Sequence, residues 1–184
     1  FSDPVADGPT IERASQKALA NGFKFHDIFE ISQNVAHTVP LLWMGYLNPF
    51  YHYGFEKCVH QAKACGVKGF IIPDMPFEEA LRYDETFRTN DVSNISFVAP
   101  TDSAQRIQTI TKDSKEFIYL VAYTGITGSG VSEDLSGVID NIRRVSSTPV
   151  YLGFGVNAQT AREKAKNVDG VIVGSAFMEI AHDD

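Results

Sequence analysis

Two stretches decide the fold: Pro149-Val150-Tyr151-Leu152-Gly153-Phe154-Gly155-Val156-Asn157 and, one helical run later, Gly170-Val171-Ile172-Val173-Gly174-Ser175-Ala176. Each is a short apolar run that ends in small residues. Glycine lets a backbone come within hydrogen-bond distance of an anion, and the helix start behind it offers unpaired amides at its positive end. One such glycine pair serves equally as a tight turn. Two in consecutive loops match the phosphate site of (β/α)8 barrels, which is often built from the loops after strands seven and eight. The two stretches therefore read as the last strands of an α/β (β/α)8 TIM barrel.

Working outward, apolar or β-branched runs alternate with longer amphipathic ones, which predicts βα units on a parallel sheet. Strands are expected at Val39 to Gly45, Gly69 to Pro73, Asn94 to Ala99, Phe117 to Ala122, Pro149 to Phe154 and Gly170 to Val173. Six of eight barrel strands are thus expected in residues 1–184, read as a single domain, with the first two strands and the final helix outside the sequence. Pro9 suits a first helical position, Ile11, Ala14, Ala18 and Leu19 share a face, and Gly22 suits the stop. Phe25 to Val35 is amphipathic, with Ile28, Phe29 and Ser32 facing inward. Phe55, Cys58, Val59 and Ala62 form a stripe closed by Gly66, and Pro76 opens the next helix. Asp102 with Gln105 resembles a capping box ahead of Ile107 and Ile110.

Composition narrows the function classes. A formal charge of -7 and a pI near 5.2, with no Lys/Arg cluster, argue against a nucleic-acid groove. An anionic substrate would have to be held by backbone amides. No apolar run approaches the roughly 18 residues that cross a bilayer, and no basic segment followed by an apolar one opens the chain, so the protein reads as cytoplasmic. Cys58 and Cys65, seven apart on one helix, stand about 10 Å apart by helix rise, beyond disulfide reach, and read as core residues. His26, His37, His52, His60 and His182 show no ligand spacing, and no metal site is expected.

The opening loop, Phe1-Ser2-Asp3-Pro4-Val5-Ala6-Asp7-Gly8-Pro9, then follows the second barrel strand, at the mouth where barrel chemistry occurs. Asp3 and Asp7 beside Gly and Pro serve equally as turn or cap residues. Tyr123-Thr124-Gly125-Ile126-Thr127-Gly128-Ser129-Gly130 reads either as a loop that closes over substrate or as an exposed connector.

Taken together, these segments resemble one family. Phe1 through Ile11 looks like the most recognisable motif of the tryptophan synthase alpha subunit family. Met44-Gly45-Tyr46-Leu47-Asn48-Pro49-Phe50 resembles its third-strand motif, and Ile72-Pro73-Asp74-Met75-Pro76-Phe77-Glu78-Glu79 the fourth. Phe97-Val98-Ala99-Pro100-Thr101 resembles the fifth, and Tyr119 with Gly125-Ile126-Thr127-Gly128 the sixth and its lid. Gly153-Phe154-Gly155-Val156 and Gly174-Ser175-Ala176 complete the set, so the resemblance spans the chain.

What the resemblance implies is a lyase of tryptophan biosynthesis that cleaves indole-3-glycerol phosphate to indole and glyceraldehyde 3-phosphate. It implies no metal or organic cofactor in this subunit, pyridoxal phosphate belonging to a beta subunit with which it forms an alpha2beta2 complex. Asp7 takes the place of the catalytic aspartate at the indole nitrogen. The second catalytic carboxylate, a glutamate ending strand two, falls before Phe1, so a polypeptide of these residues alone is expected to be inactive. Glu12, Glu78 and Glu79 read as helix-surface residues. Tyr119 would line the pocket and Thr127 bond to the aspartate on closure. Gly155, Gly174 and Ser175 would bind phosphate. Met44 and Phe154 would line the indole slot, with core packing as the alternative for both. Asp74 is a positioning carboxylate or a salt-bridge residue, and Asp3, Asn48 and Pro49 fall to the partner interface. Two rival readings stand beside this one: another phosphate-binding barrel isomerase or synthase, and a non-catalytic activating partner of the beta subunit.

Overall fold

A computed structural model describes residues 8–122 and 135–182, and the chain divides into two compact units, residues 1–95 and 96–184. Every strand pair in both is parallel.

In the first unit α1 (Pro9–Ala20) has Pro9 in its first turn, and α2 (Asp27–Val35) follows. Then come β1 (Leu42–Met44), α3 (Leu47–Tyr53), α4 (Phe55–Ala64) and β2 (Gly69–Ile71). A short α5 (Phe77–Ala80) behind Pro76, a 3-10 turn (Leu81–Tyr83), α6 (Asp84–Asn90) and β3 (Ser93–Asn94) complete it. The sheet order is β1-β2-β3.

The core of this unit is aromatic. Trp43 and Phe70 meet edge to face at 5.5 Å, and Phe50, Phe55 and Phe87 surround Phe70. The expected α4 stripe of Phe55, Cys58, Val59 and Ala62 is wholly buried against it. Cys58 and Cys65 are free, and burial pushes the Cys58 thiol up to about 12, the chemistry of a packing residue. Ser32 of α2 points inward as its spacing predicts, and its hydroxyl accepts the indole N–H of Trp43 at 2.8 Å. That bond satisfies a donor that burial would otherwise leave unpaired. On the face that Ile11, Ala14, Ala18 and Leu19 share, Leu19 is 60% exposed and the other three are half-buried, while Thr10 is the buried residue of α1. Gly22 does end α1: at φ 86 it lets Gly22 and Phe23 donate back to Leu19 and Ala18.

The second unit carries β4 (Ser96–Val98), α7 (Ala104–Thr111), β5 (Ile118–Val121), α8 (Ser136–Val145), β6 (Val150–Gly153), α9 (Ala161–Lys164), β7 (Gly170–Val171) and α10 (Ser175–His182). Its sheet order is β4-β5-β6-β7. Val98, Ile107, Ile118, Leu120, Ile142 and Val150 are fully buried, an aliphatic core between the strands and α7 and α8. The capping box expected of Asp102 is a correction. Ser103 is the cap, accepting the Arg106 N–H, while Asp102 turns back to accept the amide of Ala99 at 2.8 Å.

All six expected strand segments contain strand, in shorter runs. Asn94 to Ala99 covers the end of β3 and all of β4, with Ile95 between them. Pro73 and Pro149 lie outside the ladders because neither has an N–H to give. Phe154 leaves β6 because its backbone turns left-handed, at φ 74.

Candidate functional site

In a parallel α/β sheet the loops beyond the strand C-termini carry the chemistry. In the second unit these are the loops after β4, β5, β6 and β7. Tyr119 of β5 is buried and its ring stacks on Phe97 of β4 at 4.8 Å, with Phe154 edge-on at 6.1 Å. Its phenol runs across β6 over Gly153: a Cβ built on Gly153 would overlap the Tyr119 hydroxyl and ring. Gly153 is therefore glycine because tyrosine occupies its side-chain space. Phe154, offered by the sequence as a slot residue or a packing residue, is half-buried against Tyr119.

Beyond β6, Phe154 and Gly155 take consecutive left-handed conformations, φ 74 and φ 62. For a bulky residue such as Phe154 this is strained, a state that surrounding contacts must hold. They are specific. Lys164 reaches from the end of α9 to donate to the Phe154 carbonyl at 2.8 Å, and the Thr160 hydroxyl donates to the Gly155 carbonyl at 2.8 Å. Asn157 Oδ1 in turn accepts the amides of Gln159 and Thr160, each at 3.0 Å. Both carbonyls of the turn are thus occupied, whereas the amides of Gly155 and Val156 donate to no partner among the described residues. Burial lowers the proton affinity of the Lys164 ammonium, whose head has exchanged water for that carbonyl.

Gly174 and Ser175 follow β7, the neighbour of β6, so the two small-residue loops leave the same end of adjacent strands. Ser175 begins α10. The Gly174 carbonyl takes the amides of Phe177 and Met178, and a Cβ on Gly174 would meet nothing within 4 Å.

In the first unit Met44 ends β1, 49% exposed, on the face opposite buried Trp43. Asp74, after β2, has a definite role: its Oδ1 accepts the Leu47 amide at 2.7 Å, capping α3 from another segment. The Phe50 ring lies against Gly45. Together these hold α3 so that Asn48 and Pro49 are exposed, with Tyr51 beside them at 65%. Glu79 pairs with Arg82 and Glu12 with Gln16, as surface residues do. Asp3, Asp7 and Thr127 lie outside the described residues. Among the described residues no three His, Cys, Asp or Glu side chains group as metal ligands, and no helix is long and apolar enough to cross a membrane.

Sequence reasoning missed Thr160 and Lys164. Asn157 and Thr160 at a spacing of three carry a turn signal. Lys164 carries none, because its partner is a backbone carbonyl and any residue would supply one.

Comparison with known proteins adds a second line of observation. The sequence pattern of the family described as "Tryptophan synthase alpha chain" matches residues 1–184. The tryptophan synthase alpha chain of Wolinella succinogenes is 52% identical, the match covering 100% of this chain and 72% of that protein. The solved structure of tryptophan synthase subunit alpha from Campylobacter jejuni superposes with a TM-score of 0.87 at 34% identity, over 97% of this chain and 73% of that one. A chain from a structure described as the tryptophan synthase α2β2 complex of Pyrococcus furiosus gives 0.85 at 31% identity, over 100% and 76%.

Proposed function

Because the chain belongs to the tryptophan synthase alpha chain family, we propose that the full-length protein cleaves indole-3-glycerol phosphate to indole and glyceraldehyde 3-phosphate. The family is one of carbon–carbon lyases of tryptophan biosynthesis with a TIM-barrel fold. It uses no cofactor in the alpha chain, pyridoxal phosphate belonging to the beta subunit. The observation that carries the reading is the match to this family over the whole of residues 1–184.

The chemistry is a retro-aldol step. A proton added at indole C3 makes the ring electron-poor. The hydroxyl on the adjacent side-chain carbon loses its proton, its electrons form the aldehyde carbonyl, and the bond to C3 breaks with its pair returning to the ring. Positive charge developing at the ring nitrogen calls for a carboxylate there, the role proposed for Asp7. A second carboxyl group must move protons at C3 and at the hydroxyl. By resemblance it precedes Phe1, so a polypeptide limited to residues 1–184 is expected not to turn over. Tyr119, Met44 and Phe154 are proposed to border the indole, and Thr127 to bond to Asp7. The Gly155 amide, Gly174 and Ser175 are proposed to hold phosphate, a role supported by two amides beyond β6 that have no partner among the described residues.

A second role has its own support. Asp74 holds α3 with Asn48 and Pro49 exposed, and we assign these two residues, with Asp3, to the contact with a beta subunit. On this reading residues 1–184 belong to one domain, the protein works in the cytoplasm, and an alpha2beta2 assembly forms. Assay of indole release by the full-length protein, with and without beta subunit, tests the proposal. Asp7→Asn is expected to lower cleavage at least ~100-fold, the scale of a lost acid–base or charge-stabilising group. Full activity in that variant removes Asp7 from the mechanism, and stimulation of the beta subunit without any cleavage leaves only the partner role.

A further inference from the structure

We infer that Lys164 is a positioning residue for anion binding: by holding the Phe154 carbonyl it aims the Gly155 amide at the phosphate of the substrate. This rests on the phosphate reading proposed above for the loop after β6.

In a trans peptide the carbonyl and the following N–H lie in one plane and point in opposite directions. No peptide bond among the described residues is cis. Lys164 Nζ on the Phe154 carbonyl therefore fixes where the Gly155 N–H points, on the side away from the lysine. Thr160 Oγ1 on the Gly155 carbonyl does the same for the Val156 N–H. Two successive donors are presented by the side chains that grip their opposite ends. The two contacts differ in kind. An ammonium on a carbonyl makes a charge-assisted bond and polarises the peptide, so the N–H at the far end becomes a better donor to an anion. The lysine thus acts on the phosphate without touching it. Its hold also opposes the strain of a left-handed Phe154, which would otherwise relax and rotate the peptide.

The test is equilibrium binding of glycerol 3-phosphate and, separately, of indole to the full-length protein and its Lys164→Met, Lys164→Gln and Lys164→Arg variants. We expect Lys164→Met to weaken glycerol 3-phosphate at least roughly fivefold and to leave indole within about twofold. Retained indole binding reports that the variant is folded, and Lys164→Gln carries the same expectation should Lys164→Met fail to fold. Lys164→Arg, which keeps the charge, is expected to recover most of the loss. Equal weakening of both ligands reduces Lys164 to a prop of the fold and overturns the inference, as does unchanged glycerol 3-phosphate binding. If the unsubstituted protein binds indole but no glycerol 3-phosphate, the phosphate reading itself fails and this inference with it.

Discussion

Gly153 and Tyr119 share one volume. The missing Cβ of the glycine is where the phenol lies, so the two positions are coupled and their substitutions will not add. Gly153→Ala forces the ring or β6 to move and is expected to cost about 1–3 kcal/mol, the range for overpacking a filled site. Urea unfolding of the variant measures it. Adding Tyr119→Phe should not restore stability, since ring carbons as well as the hydroxyl occupy the space. Some residue roles were open to reading in advance. Ser32 on the inner face of an apolar stripe had to bond something, and it bonds Trp43. Lys164 and Thr160 were not open in this way, because what they hold is backbone. The cap of α7 was half legible: Asp102 and Ser103 are both good caps, and only the path of the chain decides that Ser103 faces the helix.

At the scale of elements, Asp169 joins three. It stands just before β7, accepts the Val150 amide of β6 at 2.7 Å and pairs with Arg143 of α8. The Val150 amide foremost, with Arg143 behind it, holds its carboxyl below the usual range against the opposing effect of burial. The folded-state value is lower than the unfolded one, so the stabilisation is present above the unfolded pKa and is lost as pH falls through the folded one. Asp169→Asn should therefore be less stable than the parent at neutral pH. The gap in thermal midpoint should close as pH drops below the ordinary aspartate range. Because the side chain is 41% exposed, solvent screening keeps the effect near or below ~1 kcal/mol. Elements were legible where the residue pattern determines burial by itself. The α4 stripe is the clear instance, four residues at helical spacing and all inside. Leu19 shows the limit. Periodicity tells which side of α1 is apolar but not what packs there: on that side Ile11, Ala14 and Ala18 are half-buried and Leu19 is open. The start of β6 was set by a feature visible in the sequence, Pro149, and its end by one that was not, the left-handed Phe154.

For the whole molecule, the two units have cores of different character, aromatic in residues 1–95 and aliphatic in residues 96–184. The barrel reading came from the order of βα units and the two glycine loops, and the parallel pairing throughout both sheets agrees with it. The bond between Ser32 and Trp43 has a practical consequence. Trp43 is the sole tryptophan of the chain and is sealed among rings in the first unit. Its fluorescence is thus a local gauge, shifting to the red when water enters residues 1–95, while far-ultraviolet ellipticity follows every helix. The single domain proposed above predicts that the two signals change at the same urea concentration. Emission that moves first, with ellipticity lagging, would mean that each half of the chain melts on its own schedule.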